Sequence, residues 1–187
     1  MSATEIKFGG FGGQGVILAG IIIGRAASIY GNKFATLTQS FGPEARGSAC
    51  SAQVIVSEKQ ILYPYVTKPE ILMLMSQEAC NRFLPEAVPD ATIIIEEEMV
   101  TPKGIGPEMK VYGIPATRFA EELGPKMILN IIMVGFFTAV TKLVDYESVK
   151  EAVRTSVPEG TEKLNLKAYE RGYHYGLQLI DGVSSGK

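Results

Sequence analysis

Ile6-Lys7-Phe8-Gly9-Gly10-Phe11-Gly12-Gly13-Gln14-Gly15, followed by Val16 to Tyr30 with no breaker beyond isolated glycines, decides the fold. A short extended run, Ile6 to Phe8, passes through a glycine loop into a helix. Gly31-Asn32 is expected to close that helix, with the glycine taking the left-handed conformation of the last turn. Val16, Ile17, Leu18, Ile21, Ile22 and Ile23 cover nearly the whole helical circumference, which predicts burial on several sides. Gly20 and Gly24 strip side chains from one line and predict close approach of another backbone.

Outward from this unit the same alternation continues. Strands are predicted at Phe34 to Thr38, Ala52 to Ser57, Ile71 to Met75, Ala91 to Ile95 and Met109 to Tyr112. Gln77 to Val88 is helical up to Pro85. Pro115 opens a helix through Leu123, where its missing N–H costs nothing, and Gly124-Pro125 stops it. Met127 to Val144 reads as a buried helix, Asp145 caps Tyr146 to Ser156, and a last helix covers about Glu162 to Ile180 with Leu166, Tyr169, Tyr173, Leu177 and Ile180 as its apolar stripe. The expectation is an α/β chain: a single Rossmann-like layered domain over 1–182, a mainly parallel sheet flanked by helices, and a short tail at 183–187.

Composition narrows the chemistry. Among 187 residues, 18 are basic and 20 acidic, and no cluster of Lys and Arg forms the footprint of a nucleic-acid or anionic-membrane partner. Asn130, Thr138, Thr141 and Lys142 interrupt the longest apolar segment, so no membrane span is expected. The N-terminus lacks the basic start and apolar run of a signal peptide, which predicts a cytoplasmic, reducing location. Cys50 and Cys80, with no CxxC, are too few for a zinc site or an iron–sulfur cluster, and both read as small buried hydrophobes. His174, the single histidine, lies off the apolar stripe and reads as a surface residue. Met73, Met75, Met127 and Met133 read as core, and Glu96-Glu97-Glu98 as a solvated strand end. Mean hydropathy of +0.14 suggests that another subunit covers some apolar surface.

Gly10-Phe11-Gly12-Gly13-Gln14-Gly15 fits the G-x-G-x-x-G pattern immediately after a strand and before a helix, where backbone N–H groups and the helix dipole can receive a phosphate. A tight strand-to-helix turn needs glycines for geometry alone, so a bound anion and simple packing both remain open. A dinucleotide enzyme would also place an acid at the end of the second strand, where Thr38-Gln39-Ser40 stands. An ATPase-type loop would continue into Lys and Ser or Thr, where Val16-Ile17 stands. A second dense loop, Ser40 to Ser48, carries Glu44 and Arg46 and is either a shaped turn with a solvated ion pair or a place where Arg46 meets an anion or a partner carboxylate.

Phe8 to Val16, Phe41-Gly42-Pro43-Glu44-Ala45-Arg46-Gly47, and Ile114-Pro115-Ala116-Thr117 with Ala120, Leu123-Gly124 and Asn130 resemble the gamma subunit of 2-oxoacid:ferredoxin oxidoreductases across nearly the whole chain. Phe41 stands where that family often has tyrosine, and Ser48 where a further glycine is common. Phe41-Gly42-Pro43-Glu44 looks more like the 2-oxoglutarate branch than the pyruvate branch. The resemblance implies a part of a larger enzyme that oxidatively decarboxylates a 2-oxoacid to the acyl thioester of coenzyme A and reduces ferredoxin. It implies thiamine diphosphate, magnesium and iron–sulfur clusters in alpha, beta and, where present, delta partner subunits, none of them held by this chain alone.

On that reading no residue here is catalytic or a metal ligand. Gly10, Gly12, Gly13, Gln14, Gly15, Glu44 and Arg46 line a groove whose fitting anion is coenzyme A, shared with the partners. Two other readings stand beside it: a self-sufficient Rossmann-like dehydrogenase or nucleotide-binding module, and a purely architectural subunit. Pairing of the isolated chain with itself is left open.

Overall fold

A computed structural model of the chain describes residues 3–40, 49–124 and 126–184. Strand β1 (Thr4–Phe11) leads into α1 (Val16–Arg25), and β2 (Phe34–Ser40) and β3 (Ala49–Ser57) follow. Then come β4 (Ile71–Leu74), α2 (Gln77–Phe83), β5 (Thr92–Glu96), β6 (Lys110–Ile114) and α3 (Ala116–Leu123). Helices α4 (Leu129–Thr141), α5 (Tyr146–Ser156) and α6 (Glu162–Ser184) complete the chain. The strands form one six-stranded sheet in the order β2-β3-β1-β4-β5-β6.

Pairs β1–β4, β4–β5 and β5–β6 are parallel, while β3 runs antiparallel to both β1 and β2. The sheet is therefore mainly parallel, as expected, with β3 its reversed strand. Residues 41–48 join β2 to β3, a connection shorter than the dozen or more residues that a parallel crossover needs.

Alternation along the strands feeds two cores. Ile6, Phe8, Val54, Met73 and Ile94 face α1, α3, α4, α5 and α6, whereas Leu72, Leu74, Ile93 and Ile95 face α2 through Ala79, Cys80 and Phe83. Cys50 belongs to the first cluster and Cys80 to the second, and burial raises both thiol pKa values. On the α2 side the ammonium of Lys7 is paired with Glu86 and sits over the Phe83 ring.

Several local expectations need correction. Helix α1 runs on as a π-helix from Ala26 to Tyr30, and Gly31 N–H reaches Ala26 O at 2.7 Å. The left-handed residue is Asn32, with φ of 52°, and not Gly31 at −96°. Asparagine tolerates that region better than most side chains, and glycine is needed at 31 because a Cβ would stand 2.9 Å from the Ala26 carbonyl oxygen. Met127 is 88% exposed in the 3₁₀ turn before α4, so it is not core. Gly20 does lie close against the sheet, but against the Ala52 side chain, and Gly24 has nothing near it.

Helix α6 continues to Ser184, past the end its stripe predicts, and residues 185–187 lie outside the described chain. Its buried line is Asn165, Ala168, Tyr169, Gly172 and Gly176, displaced from the predicted stripe although Tyr169 belongs to both. The displacement follows from how α4 and α6 meet. A Cβ on Gly135 would overlap the Tyr169 carbonyl oxygen, and one on Gly172 would overlap that of Ile132. The two helices thus pack backbone to backbone, and the larger side chains of α6 flank the contact. The Asp145 cap is as expected, with Oδ1 accepting from Ser148 N–H at 2.9 Å, and the Ser148 hydroxyl followed by that amide holds the carboxyl below the usual range. Among the described residues no helix is long and apolar enough to cross a membrane.

Candidate functional site

Four parallel strands end on one edge of the sheet, at Phe11, Leu74, Glu96 and Ile114, and the chain turns there into α1, α2 and α3 or, after Glu96, into a tight bend. Carboxyl edges of this kind are where α/β sheets collect ligands. Gly9, Gly10 and Phe11 belong to β1, with Gly10 opposite Cys50, so the loop proper is shorter than the glycine run suggests.

The loop is a turn clamped from both sides by one side chain. Gln14 N–H donates to Phe11 O at 3.2 Å, while Gln14 Oε1 accepts from Phe11 N–H at 2.7 Å. Gly13, third in the turn, has the positive φ of 91° that a type II turn requires. Gln14 Nε2 then donates to Met75 O at 2.9 Å, tying the turn to the end of β4. Gly10 provides the room, since a Cβ there would stand 2.6 Å from Gln14 Oε1. Gly15 has φ of 74°, and any side chain on it would collide with Asn130, whose Nδ2 donates to Gly15 O at 3.2 Å.

The seven residues expected to line a groove therefore separate. Gly10 and Gly15 are constrained by internal packing, Gln14 holds the turn, and among the described residues nothing lies within 4 Å of where a side chain on Gly12 or Gly13 would begin. Glu44 and Arg46 lie outside the described residues. Helix α1 starts with no side-chain cap and no acidic residue in its first turn. Its N–H groups ahead of Ala19, the donor of the first helical bond, have no intrahelical acceptor. Their partial positive charge opens beside Gly13.

Gly13 and Gln14 form one wall of a cleft of about 340 Å³, with Met99, Thr117, Ala120, Met127 and Leu129 around it. Sequence reading misses Met99 and takes Met127 for core, because a lining residue is marked by where the chain places it and not by its own pattern. Thr117, Ala120 and Asn130 are marked there by family resemblance, with no role in a site. His174 is exposed on α6 with its ring against Tyr173, as a surface residue should be.

Glu96 is the larger correction. It is fully buried, unlike Glu97 and Glu98, and its Oε1 accepts from Thr117 N–H at 3.1 Å. Glu98 Oε2 accepts from Arg118 N–H at 3.2 Å, so two strand-end carboxylates cap α3, whose own Pro115 supplies no side-chain bond. Glu96 Oε2 and Thr117 Oγ1 are both buried without a hydrogen-bond partner among the described residues.

Desolvation raises the Glu96 carboxyl pKa above the ordinary range. The Thr117 and Met99 bonds oppose the shift, and the Glu98 charge adds to it. A carboxyl whose folded pKa is raised binds more protons folded than unfolded in the window above its unfolded value. Its contribution to stability is therefore lost as pH rises through that window toward the folded value. Glu96→Gln keeps an acceptor for Thr117 N–H and does not ionise. Its stability relative to the parent should rise with pH through the window in which the parent carboxyl ionises, in urea unfolding followed from mildly acidic to neutral pH. An unchanged difference across that range would mean that Glu96 is not the titrating group.

Comparison with known proteins identifies the family and the fold. The family model described as pyruvate ferredoxin/flavodoxin oxidoreductase matches residues 5–175. The chain is 44% identical over 177 residues to the 2-oxoglutarate synthase subunit KorC of Methanocaldococcus jannaschii, covering 94% of this chain and 95% of that one. The gamma subunit of a keto/oxoacid ferredoxin oxidoreductase from Geobacter sulfurreducens superposes with a TM-score of 0.83 at 35% identity, over 94% of this chain and 99% of that one. A 2-oxoglutarate:ferredoxin oxidoreductase from Magnetococcus marinus, solved with 2-oxoglutarate, coenzyme A and succinyl-CoA bound, shares the fold. Its TM-score is 0.84 at 20% identity, over 94% of this chain and 31% of that longer one.

Proposed function

Because the chain belongs to the pyruvate ferredoxin/flavodoxin oxidoreductase family, as the gamma subunit of a 2-oxoacid:ferredoxin oxidoreductase, we propose that its glycine turn and the start of α1 hold the phosphates of coenzyme A within the assembled enzyme. The substrate on this reading is 2-oxoglutarate, oxidatively decarboxylated to succinyl-CoA and carbon dioxide with electrons passing to ferredoxin, in a cytoplasmic complex with alpha, beta and, where present, delta subunits. The self-sufficient dehydrogenase is set aside. Similarity extends over nearly the full length of a chain that is itself a subunit.

One observation carries the assignment to the turn: bare backbone at Gly12 and Gly13 beside an uncapped helix start, opening on a cleft with Met99, Met127 and Leu129 in its wall. The amides suit the phosphates of coenzyme A, and the apolar wall suits its slender arm. Bound there, coenzyme A would supply the thiol that accepts the acyl group. The chain's own part is to bind and orient it.

Cys50 and Cys80 face opposite sides of the sheet, and among the described residues no three of His, Cys, Asp and Glu gather as metal ligands. We assign thiamine diphosphate, magnesium and the iron–sulfur clusters to the partner subunits. Arg46 adds a cation to the coenzyme A site on this reading. In the assembled enzyme Arg46→Ala should raise the KM for coenzyme A about tenfold and leave that for 2-oxoglutarate unchanged, as loss of one charge-assisted bond implies. Unaltered steady-state kinetics for coenzyme A would reject the assignment of Arg46.

A further inference from the structure

We infer that the outer edge of β2 is an interface between two copies of this chain, paired antiparallel about a twofold axis through Leu37. Strand β2 ends the sheet, and its sequence, Phe34-Ala-Thr-Leu-Thr-Gln-Ser40, has no charge, no proline and no bulge to discourage pairing. Solitary proteins protect such edges, and this one is bare over its full length among the described residues.

The sequence of the strand says what fits it. About Leu37 it is nearly self-complementary: Leu37 would face the second copy's Leu37, Thr36 its Thr38, and Ala35 its Gln39. This register sets threonine opposite threonine twice, a favourable cross-strand pair, and never opposes like charges. Residues that face each other share parity, so each side chain stays on its own face of a sheet continuous through both copies.

Both faces beside the edge present partly exposed apolar side chains. On the α1 side a groove of about 200 Å³ runs between Ile21, Gly24, Arg25 and Ser28 of the helical layer and Ala35 and Leu37 of the strand. Ile29 is exposed further along the same helical stretch. On the other side Thr36 Oγ1 reaches Pro64 O at 3.5 Å, which places the exposed Tyr63 and Tyr65 next to the strand, with Phe34 exposed at its start. Helix α1 lies mainly over β3, so twofold pairing would set the two copies of α1 about 14 Å apart, three strand spacings. That gap is wider than direct helix contact and suits the side chains of Ile21, Ile29 and Leu37 from both copies. Gly24, which has nothing within 4 Å among the described residues, keeps the groove open.

Pairs of charges at positions 35 and 39 test the register without touching the core contacts of Leu37. Sedimentation velocity of the purified full-length chain over a concentration series should show a dimer. Ala35→Lys with Gln39→Lys opposes like charges twice and should weaken the dimer about tenfold or more. Ala35→Lys with Gln39→Glu opposes unlike charges in the same register and should restore it. Thermal melts of both variants report whether each still folds. A monomeric parent chain, or a dimer equally strong in both variants, overturns the proposal. The first outcome would leave the edge to another subunit, and the second would place the dimer contact elsewhere.

Discussion

Replacing Gly172 by alanine is expected to destabilise the chain by about 4 kcal/mol or more, a large part of the total stability of a domain this size. The reason is geometric. Helix α6 meets α4 through Gly172 against the Ile132 carbonyl and through Gly135 against the Tyr169 carbonyl, and a methyl group at 172 has no place unless the helices move apart by roughly 1 Å. Such a shift would loosen Phe136 from Tyr175 and Tyr169 from Tyr146, whose main-chain carbonyl accepts the Tyr169 hydroxyl at 3.0 Å. Burial also raises the Tyr169 phenol pKa well above its ordinary value, so the ring is held as a neutral donor. Gly182 in the same helix has open space around it. Gly182→Ala should therefore be neutral or slightly stabilising, by about 0.5–1 kcal/mol. Calorimetric melts of both variants check the contrast, with Gly172→Ala expected to melt about 10 °C lower. Equal melting temperatures would show that α4 and α6 are not in backbone contact.

Gly13→Asp is expected to have the largest effect on activity. At φ of 91° a side chain is strained but not blocked, and asparagine and aspartate bear this region best. The new carboxylate would stand where α1 presents its partial positive charge. Repulsion of a phosphate about 5 Å away at an effective dielectric near 20 costs about 3 kcal/mol, roughly a hundredfold in affinity. Gly13→Asn adds the same strain without the charge, so the difference between the two variants isolates electrostatics from backbone geometry. A purely architectural loop predicts that both variants assemble and work alike.

Much of this fold is legible from residue type. The strand, loop and helix of β1 and α1, the Asp145 cap, and the stop at Gly124 follow from local chemistry that outlasts tertiary context. Where sequence and structure part, a long-range contact has decided. The contact line of α6 lies one residue from its bulkiest stripe because close backbone approach selects Gly172 and Gly176, and hydrophobicity does not mark glycine. Glu96 looks like a solvated strand end because nothing near it in sequence announces the two α3 amides, twenty and more residues later, that the strand-end acids cap. Met127 looks like core and lies open in the cleft wall. In the glycine run, spacing identifies the turn but not the division of labour within it. Gly10 makes room for Gln14 and Gly15 for Asn130, and only Gly12 and Gly13 are left facing outward.

On the proposed reading this subunit contributes backbone amides, with no reacting group of its own, to coenzyme A binding. Its most direct test is the dissociation constant of coenzyme A, by titration calorimetry on the assembled enzyme, for the parent, Gly13→Asn and Gly13→Asp at equal subunit content. The account predicts a modest change with asparagine and a loss of about a hundredfold with aspartate. A single dissociation constant shared by all three would contradict it.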